Sequence, residues 1–380
     1  LLRALSQQHE VTLISFAFAT ARPEEQEAVR DLCTEFRAVP VDPFAANRAS
    51  ALRTFLSLRP VASRPIPAMR EKVSAALASQ RFDAVIASTV VMADYALQAG
   101  KGTAKVLEEH NSMARWMRER YEGANGLLQR ARCWVSWMKT RNYEARLFSR
   151  FDLVTMVSDQ DRSTSEALPG YRGRVEVVHN GVDCAHNHPD LMEPWPNALV
   201  YNGSLTYDAN YDAMRWFLAE AYPILKAQIP GISLTITGSI RDVDLAGLAL
   251  DDSVTLTGFV DDVRLPVAQA MTCVAPIRRG GGTRLKILEA MALGTPVVAT
   301  SKGAEGLEVI DGTHLLIADT PQAFAEKTIQ LLQSPETRAT LAANARALVE
   351  ARYDWAGIGQ RFAQLVVETV HAGVQGTHAR

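Results

Sequence analysis

The sequence is poor in cysteine, in aromatic residues and in long apolar runs, and neither sign of charge dominates it. Its 4 cysteines among 380 residues form no C-x-x-C pair, which argues against a disulfide framework or structural zinc and favours a reducing cytoplasm. The 40 Lys and Arg against 42 Asp and Glu leave a net charge of −2, so we expect no nucleic-acid partner, because a general phosphate-binding surface needs excess cations. The longest apolar run, at 84–93, stops at Asp94, short of the roughly 18 residues of a membrane span.

Apolar residues, by contrast, make up 47% of the chain, enough for two cores at this length. Short apolar runs alternate with segments of helical spacing, which predicts parallel sheets covered by helices on both faces. The predicted strands are 10–18, 36–39, 83–87, 104–108, 152–157 and 175–178, and then 198–201, 233–237, 254–256, 272–275, 296–300 and 314–317. The predicted helices of the second series are 209–227, 263–270, 284–293, 321–333 and 336–351.

The alternation stops once and starts again, which predicts two domains. Residues 183–197 lack periodicity, so we expect a linker there, between a domain at 1–182 and a second at 198–353. The predicted fold class is α/β, with two Rossmann-like, doubly wound domains facing a cleft. Residues 1–8 have the pattern of the end of a helix, and we expect a first strand to be missing before them.

The most distinctive segment is a glycine loop between a predicted strand ending at Pro276 and a helix beginning near Thr283. Gly280, Gly281 and Gly282 allow the backbone to approach a ligand closely, because they have no Cβ. The segment also contains four cations and no carboxylate before residue 289: Arg278, Arg279, Arg284 and Lys286. Cations are unfavourable at a helix N-terminus unless an anion binds there, so the segment predicts a phosphate site.

Lys286 and Glu289 are three residues apart and therefore share one face of that predicted helix. In one interpretation the lysine holds a diphosphate and the glutamate accepts hydrogen bonds from sugar hydroxyls. In the other, the two residues form an ordinary exposed pair beside a flexible turn.

Two further strand ends contain candidate residues. The strand at 198–201 leads into Gly203 and Ser204, where the backbone can approach a ligand, although any such turn can contain glycine. The strand at 104–108 leads into His110 and Asn111, and His110 is either a donor to a substrate oxygen or a structural histidine. His186 and His188 have H-x-H spacing, but no second ligand group follows at a recognisable distance, so we expect no metal site.

Residues 115–150 form a basic stretch with nine Lys and Arg against three Glu, interleaved with Trp116, Trp134 and Trp137. Two interpretations remain open. The stretch either contacts an anionic membrane surface, which would place a cytoplasmic protein at the inner face of the plasma membrane, or is a solvated helical pair whose tryptophans pack inward.

Residues 280–300, with Gly303–Gly306 after them, resemble the donor-binding signature of the glycosyltransferase family 4 group. Residues 180–183 (NGVD) and 258–262 (GFVDD) add to the resemblance, which covers nearly the whole chain. The sequence is similar in particular to sugar transferases encoded with bacterial exopolysaccharide systems. The resemblance implies a GT-B fold, an acceptor-side first domain, and a final segment, 354–380, whose helix crosses back to that domain before a tail.

The implied reaction is retaining transfer of a sugar from a UDP- or GDP-linked donor to a hydroxyl of a lipid-linked or saccharide acceptor, in polysaccharide or glycolipid assembly, without metal or cofactor. The resemblance gives His110 and Glu289 catalytic roles, with Glu289 at the nucleotide ribose and His110 near the transferred sugar. It also implies three sets of binding residues. The donor diphosphate would be bound by Gly282, Thr283, Arg284, Lys286, Gly203 and Ser204. The nucleotide base would be bound by Gly258 and Phe259, and the acceptor by Asn111 and Arg115.

The sequence departs from the family pattern in three places. Gly281 stands where a second glutamate is common, the usual Arg and Lys are absent from 203–210, and we expect the glycine-rich first turn of the first domain to be missing with the first strand. Two alternatives stay open: a nucleotide-sugar epimerase on the same two-domain plan and, because of Gly281, a catalytically silent nucleotide-sugar-binding protein.

Overall fold

A computed structural model of the chain describes residues 1–18, 23–44, 60, 65–280 and 284–378. The chain divides into two compact units. Unit 1 contains Leu1–His179 and Ile358–Arg380, and unit 2 contains Asn180–Gly357.

Unit 1 is an α/β unit whose strands are all parallel. The strands are β1 (Thr12–Phe16), β2 (Glu35–Val39), β3 (Ala84–Ser88), β4 (Ala104–Glu108), β5 (Leu153–Met156) and β6 (Val175–Val177). The helices are α1 (Leu2–Ser6), α2 (Pro23–Arg30), α3 (Pro67–Ser79), α4 (Val90–Ala96), α5 (Met113–Glu122), α6 (Leu127–Phe148) and α7 (Asp159–Glu166). Strands β3 to β6 form one sheet in sequence order, and β1 pairs with β2.

Unit 2 has a six-stranded parallel sheet. Its strands are β7 (Ala198–Asn202), β8 (Ser233–Thr237), β9 (Val254–Gly258), β10 (Thr272–Ala275), β11 (Val297–Ala299) and β12 (Leu316–Ile317). Its helices are α8 (Asp208–Trp216), α9 (Tyr222–Gln228), α10 (Arg264–Ala268), α11 (Leu285–Ala292), α12 (Ser301–Ala304), α13 (Pro321–Gln333) and α14 (Pro335–Arg352). The last helix, α15 (Trp355–His378), begins in unit 2 and continues into unit 1.

Successive residues of the unit 2 strands point to opposite faces of the sheet, and each face has its own core. Leu199 and Tyr201 pack on the face covered by α8, α9 and α13, whereas Val200 packs on the face covered by α11 and α14. Cores on both faces explain why these strands have continuous apolar runs rather than alternating ones.

The strand order of unit 2 is β12-β11-β10-β7-β8-β9, so β7 lies between β10 and β8. The connection after β9 therefore crosses to the other side of the first strand, and the order reverses between β7 and β10. In open α/β sheets a ligand crevice forms at such a reversal, at the carboxyl ends of the strands.

The predicted α/β fold with parallel sheets in two Rossmann-like units is confirmed. One predicted helix, 209–227, is interrupted by a π-helical turn at Phe217–Ala221. Pro223 in the first turn of α9 has no backbone N–H, which explains the break in the regular bonding pattern. Within the described part of the chain, no helix has the length and apolar character to span a bilayer.

Candidate functional site

A pocket of about 280 Å³ lies at the reversal point of unit 2. It is formed by the end of β7, the start of α8, the segment after β10 and the start of α11. Its lining residues are Asn202, Tyr207, Ala209, Asn210, Ile277, Arg284, Leu285, Lys286 and Glu289. The structure therefore brings together three of the residues that the sequence singled out, Arg284, Lys286 and Glu289, and adds neutral polar residues from β7 and α8.

Arg284 connects the start of α11 to two other backbone segments. Helix α11 begins at Leu285, so Arg284 precedes the helix rather than lying within its first turn. The buried Arg284 guanidinium donates to the carbonyls of Gly280, at 2.7 Å, and Lys302, at 3.1 Å. Gly280 has a φ of +90°, a conformation that favours glycine. The predicted diphosphate ligands Gly282 and Thr283, and also Gly281, lie outside the described residues.

Lys286 is the central cation of the pocket. Its Nζ donates to the Tyr201 hydroxyl, at 2.7 Å, and to Asn210 Oδ1, at 3.0 Å, and lies 3.9 Å from the centre of the Tyr201 ring. Burial lowers the pKa of Lys286 to about 7, with Arg284 lowering it further and Cys273 and Glu289 opposing the shift. Near neutral pH the ammonium thus loses its proton easily, and an anion bound in the pocket would favour the charged form.

For the nucleotide-sugar donor that the sequence resemblance implies, this pKa predicts binding with proton uptake. Above about pH 7 the free lysine is neutral and must gain a proton to pair with a diphosphate, so we expect affinity to fall by about tenfold per pH unit. The doubly esterified diphosphate itself does not titrate in this range. Calorimetry of nucleotide-sugar binding in buffers of different ionisation enthalpy measures the uptake directly. An affinity that stays constant from neutral to alkaline pH would contradict the prediction.

Glu289 lies one turn after Lys286 and is held by Asn202. Asn202 Nδ2 donates to Glu289 Oε2 at 3.0 Å. Burial raises the pKa of Glu289 above its usual value. The hydrogen bond from Asn202 and the charge of Lys286 act in the opposite direction and reduce this rise. Asn202 thus orients the Glu289 carboxylate, which is a hydrogen-bond acceptor at the pocket wall. Asn202 is not among the site residues predicted from the sequence, although a polar residue at the end of an apolar strand is a signal for it.

The turn after β7 lies directly against Lys286. A Cβ at Gly203 would come 2.6 Å from Lys286 Nζ, so only glycine leaves room for the ammonium in this position. Ser204 donates through its hydroxyl to the Ser239 carbonyl, at 3.0 Å, rather than lining the pocket. The backbone of this turn packs on Gly238, where a Cβ would come 2.6 Å from the Ser204 nitrogen. Close packing of backbone on backbone fixes the turn.

The structure corrects one part of the charge argument. Arg278 donates to both carboxylate oxygens of Asp212, at 3.2 and 3.1 Å, and lies 5.6 Å from the Trp216 ring. Arg279 lies 3.7 Å from Asp212 and donates to the Asp208 carbonyl. A buried carboxylate of α8 therefore pairs with both arginines and offsets part of their charge, whereas the sequence showed no carboxylate beside them. The cations at the pocket wall are Arg284 and Lys286.

Gly258 and Phe259 lie at the end of β9, in the same unit. Gly258 has a φ of +68°, and Phe259 is 81% exposed. Neither residue lines the pocket of unit 2 described above. Their predicted role at the base stays a prediction.

In unit 1, the predicted residues His110 and Asn111 follow the end of β4. His110 is 54% exposed, with its Nδ1 3.5 Å from Glu108 Oε1, and Asn111 is exposed. Arg115 is mostly buried and lies 3.6 Å from Asp161. The exposed imidazole and amide are therefore accessible at this strand end, whereas Arg115 is engaged by unit 1 itself.

Beneath this strand end, Glu144 of α6 is buried and accepts a hydrogen bond from the Ala114 amide at 3.2 Å. Desolvation raises the pKa of Glu144 to about 8, the backbone bonds of Ala114 and Met113 oppose the shift, and the charge of Asp161 adds to it. The folded-state pKa exceeds the unfolded value, so the contribution of Glu144 to stability is fully present below the ordinary pKa of 4.5 and is lost as pH rises towards 8.

We expect Glu144→Gln to flatten this pH dependence, because glutamine keeps an acceptor for Ala114 and does not ionise. The wild type should lose on the order of 2 kcal/mol more than the variant between about pH 5 and pH 7. Urea unfolding at the two pH values measures the difference. Identical pH dependence of the two proteins would show that Glu144 does not titrate in this way.

The histidines near the predicted linker do not assemble a metal site. Among the described residues, no group of three or more His, Cys, Asp or Glu side chains is arranged to hold a metal ion. His186 instead lies against Arg264, which donates to the His186 carbonyl at 2.8 Å.

Comparison with known proteins agrees with this geometry. A family model described as Glycosyltransferase Family 4 matches residues 1–186, and one described as Glycosyl transferases group 1 matches residues 196–334. Together the two models span most of the chain.

Two curated relatives match part of the chain. A GDP-mannose-dependent monoacylated alpha-(1-6)-phosphatidylinositol monomannoside mannosyltransferase of Corynebacterium glutamicum is 34% identical over 61% of this chain and 66% of its own length. An uncharacterized 44.6 kDa protein in the cps region of Klebsiella pneumoniae is 22% identical over 66% of this chain and 65% of its own length. The match thus spans just under two thirds of the length of each relative.

The fold is also found in a solved structure. Anabaena HepE in complex with UDP and glucose superposes with a TM-score of 0.67 at 16% identity, covering 97% of this chain and 94% of that one. With both family models and the parallel α/β architecture in agreement, the chain belongs to the glycosyltransferase family 4 group and has the GT-B fold.

Proposed function

We propose that the protein transfers a sugar from a nucleotide diphosphate donor to a hydroxyl acceptor. The observation that carries the proposal is the convergence of Lys286 and Glu289 on one pocket at the reversal point of the unit 2 sheet, beside the glycine turn at Gly203. The cation suits a diphosphate, and the carboxylate suits the hydroxyls of a ribose.

The chemical demand is stabilisation of the negative charge that develops on the leaving diphosphate. As the bond from the anomeric carbon to the diphosphate oxygen breaks, Lys286 and Arg284 offset this charge from fixed positions, so we infer that no metal is needed. The acceptor oxygen bonds to the same face of the sugar, and its proton passes to the departing phosphate oxygen. This route retains the anomeric configuration.

The donor nucleotide is UDP or GDP, and the acceptor is lipid-linked or a saccharide. The relative from Corynebacterium is named for GDP-mannose and a phosphatidylinositol mannoside, and the HepE complex holds UDP. The relative from a capsule region supports a role in polysaccharide or glycolipid assembly. His110 near the transferred sugar, Asn111 and Arg115 at the acceptor, and Gly258 and Phe259 at the base remain parts of this proposal.

A thermal-shift screen of the full chain against UDP- and GDP-sugars tests donor binding, because a ligand of the folded state raises the melting temperature. Release of nucleoside diphosphate from the stabilising donor is then measured with simple glycosides and lipid-linked monosaccharides, in the presence of a chelator. Acceptor-dependent release supports the proposal. Sugar conversion without acceptor would indicate an epimerase, and binding without turnover would indicate a silent binding protein.

A further inference from the structure

A helical hairpin of unit 1 exposes an apolar stripe. Helices α5 and α6 are joined by residues 123–126, and α6 begins with Leu127 and Leu128, which are 89% and 91% exposed. Ala131, Trp134 and Val135 are also exposed and follow at the spacing of one helix face. An amphipathic helix normally buries such a face, but the first two turns of α6 present theirs to solvent.

The surroundings of this stripe are basic. From residue 123 to residue 143 the sequence has four cations, Arg130, Arg132, Lys139 and Arg141, and no acidic residue. Arg130 lies over the Tyr121 ring at 5.1 Å, and Tyr121 stacks on Trp137 with ring centres 5.7 Å apart. The aromatic stack joins the two helices, so the hairpin presents its apolar stripe on a rigid support. We call residues 123–135 the hairpin tip.

We propose that the hairpin tip docks on an anionic lipid bilayer, with Leu127 and Leu128 entering the interface and Arg130 and Arg132 contacting lipid phosphates. A bilayer offers an apolar layer behind a negatively charged surface, which complements adjacent apolar and cationic groups. A second copy of the chain fits less well, because a symmetric pairing of this face would bring its arginines together. The inference rests on unit 1 alone and does not depend on the proposed sugar transfer.

The test is co-flotation of the full chain with vesicles of phosphatidylcholine, with and without phosphatidylglycerol. We expect binding to the anionic vesicles that weakens with salt, and little binding to phosphatidylcholine alone. The variants Leu127→Ser/Leu128→Ser and Arg130→Glu/Arg132→Glu should each reduce vesicle binding by about tenfold or more. All four side chains are exposed, so thermal melting of both variants should match the wild type.

A control variant makes one apolar-to-serine and one arginine-to-glutamate change elsewhere. Ile310→Ser/Arg81→Glu alters one exposed apolar residue and one exposed arginine outside the hairpin, and it should bind vesicles like the wild type. The proposal fails if the wild type does not bind anionic vesicles at low salt, or if the hairpin variants bind as well as the control. It also fails if the wild type is a dimer that the leucine variant dissociates, because a second copy would then cover the stripe.

Discussion

Replacing Lys286 with methionine should lower kcat/KM for sugar transfer by about 10²–10³-fold, the range measured when one fixed donor to a developing anion is removed. Lys286 Nζ is positioned by Tyr201 and Asn210, so its charge is in place before the diphosphate begins to leave. The loss should fall on kcat as well as on the donor KM, because the ammonium pairs with the bound diphosphate and the charge on the diphosphate is greatest in the transition state. Methionine keeps an unbranched chain of similar length and adds no Cβ branch near Gly203.

The matched control is Lys226→Met. Lys226 lies on α9 of the same unit, pairs with Asp251 and does not line the pocket, so its loss should leave the transfer rate nearly unchanged. Steady-state kinetics with saturating acceptor, together with thermal melting of both variants, separate a catalytic loss from unfolding. A Lys286→Met enzyme with more than about a tenth of wild-type kcat would contradict the role of this residue.

The strands could be predicted because they depend on local pattern. Parallel strands that are buried on both faces have continuous apolar runs, which the sequence shows directly. The strand order of this Rossmann-like sheet reverses between β7 and β10, so a ligand crevice is expected at their carboxyl ends. The strands predicted at 198–201 and 272–275 therefore lead into two walls of the pocket. The helix predicted at 209–227 is the exception. Its apolar spacing is helical, but Pro223 breaks the regular hydrogen bonding, and apolar spacing alone does not predict that break.

The partners of the charged residues could not be predicted, because they come from distant parts of the chain. Arg278 meets Asp212 across 66 residues, and Lys286 meets Tyr201 across 85. A count of charges near residue 280 therefore overstated the positive charge available to a ligand. Sequence spacing indicated that Lys286 and Glu289 share a helix face, but only the packing of α11 against β7 shows which neutral groups hold them.

The second large effect is expected for Glu289→Gln, and here the loss should fall on donor binding. Glu289 Oε2 accepts a hydrogen bond from Asn202, which leaves the other oxygen available to a ribose hydroxyl. Glutamine has one acceptor oxygen, so it cannot accept from Asn202 and from the ribose through separate oxygens. Loss of a hydrogen bond to a charged group costs about 1.5–3 kcal/mol, which corresponds to a rise of roughly 10- to 100-fold in KM for the donor.

The exposed Glu220 provides the control, because Glu220→Gln removes the same charge outside the pocket and should leave KM unchanged. The two pocket variants then differ in kind as well as in size. Lys286→Met lowers kcat as well as raising the donor KM because the ammonium acts on the leaving group, whereas Glu289→Gln raises the donor KM alone because the ribose is bound equally before and during the reaction. If Glu289→Gln instead lowered kcat at an unchanged donor KM, the carboxylate would act on the reacting sugar, and its placement at the ribose would be wrong.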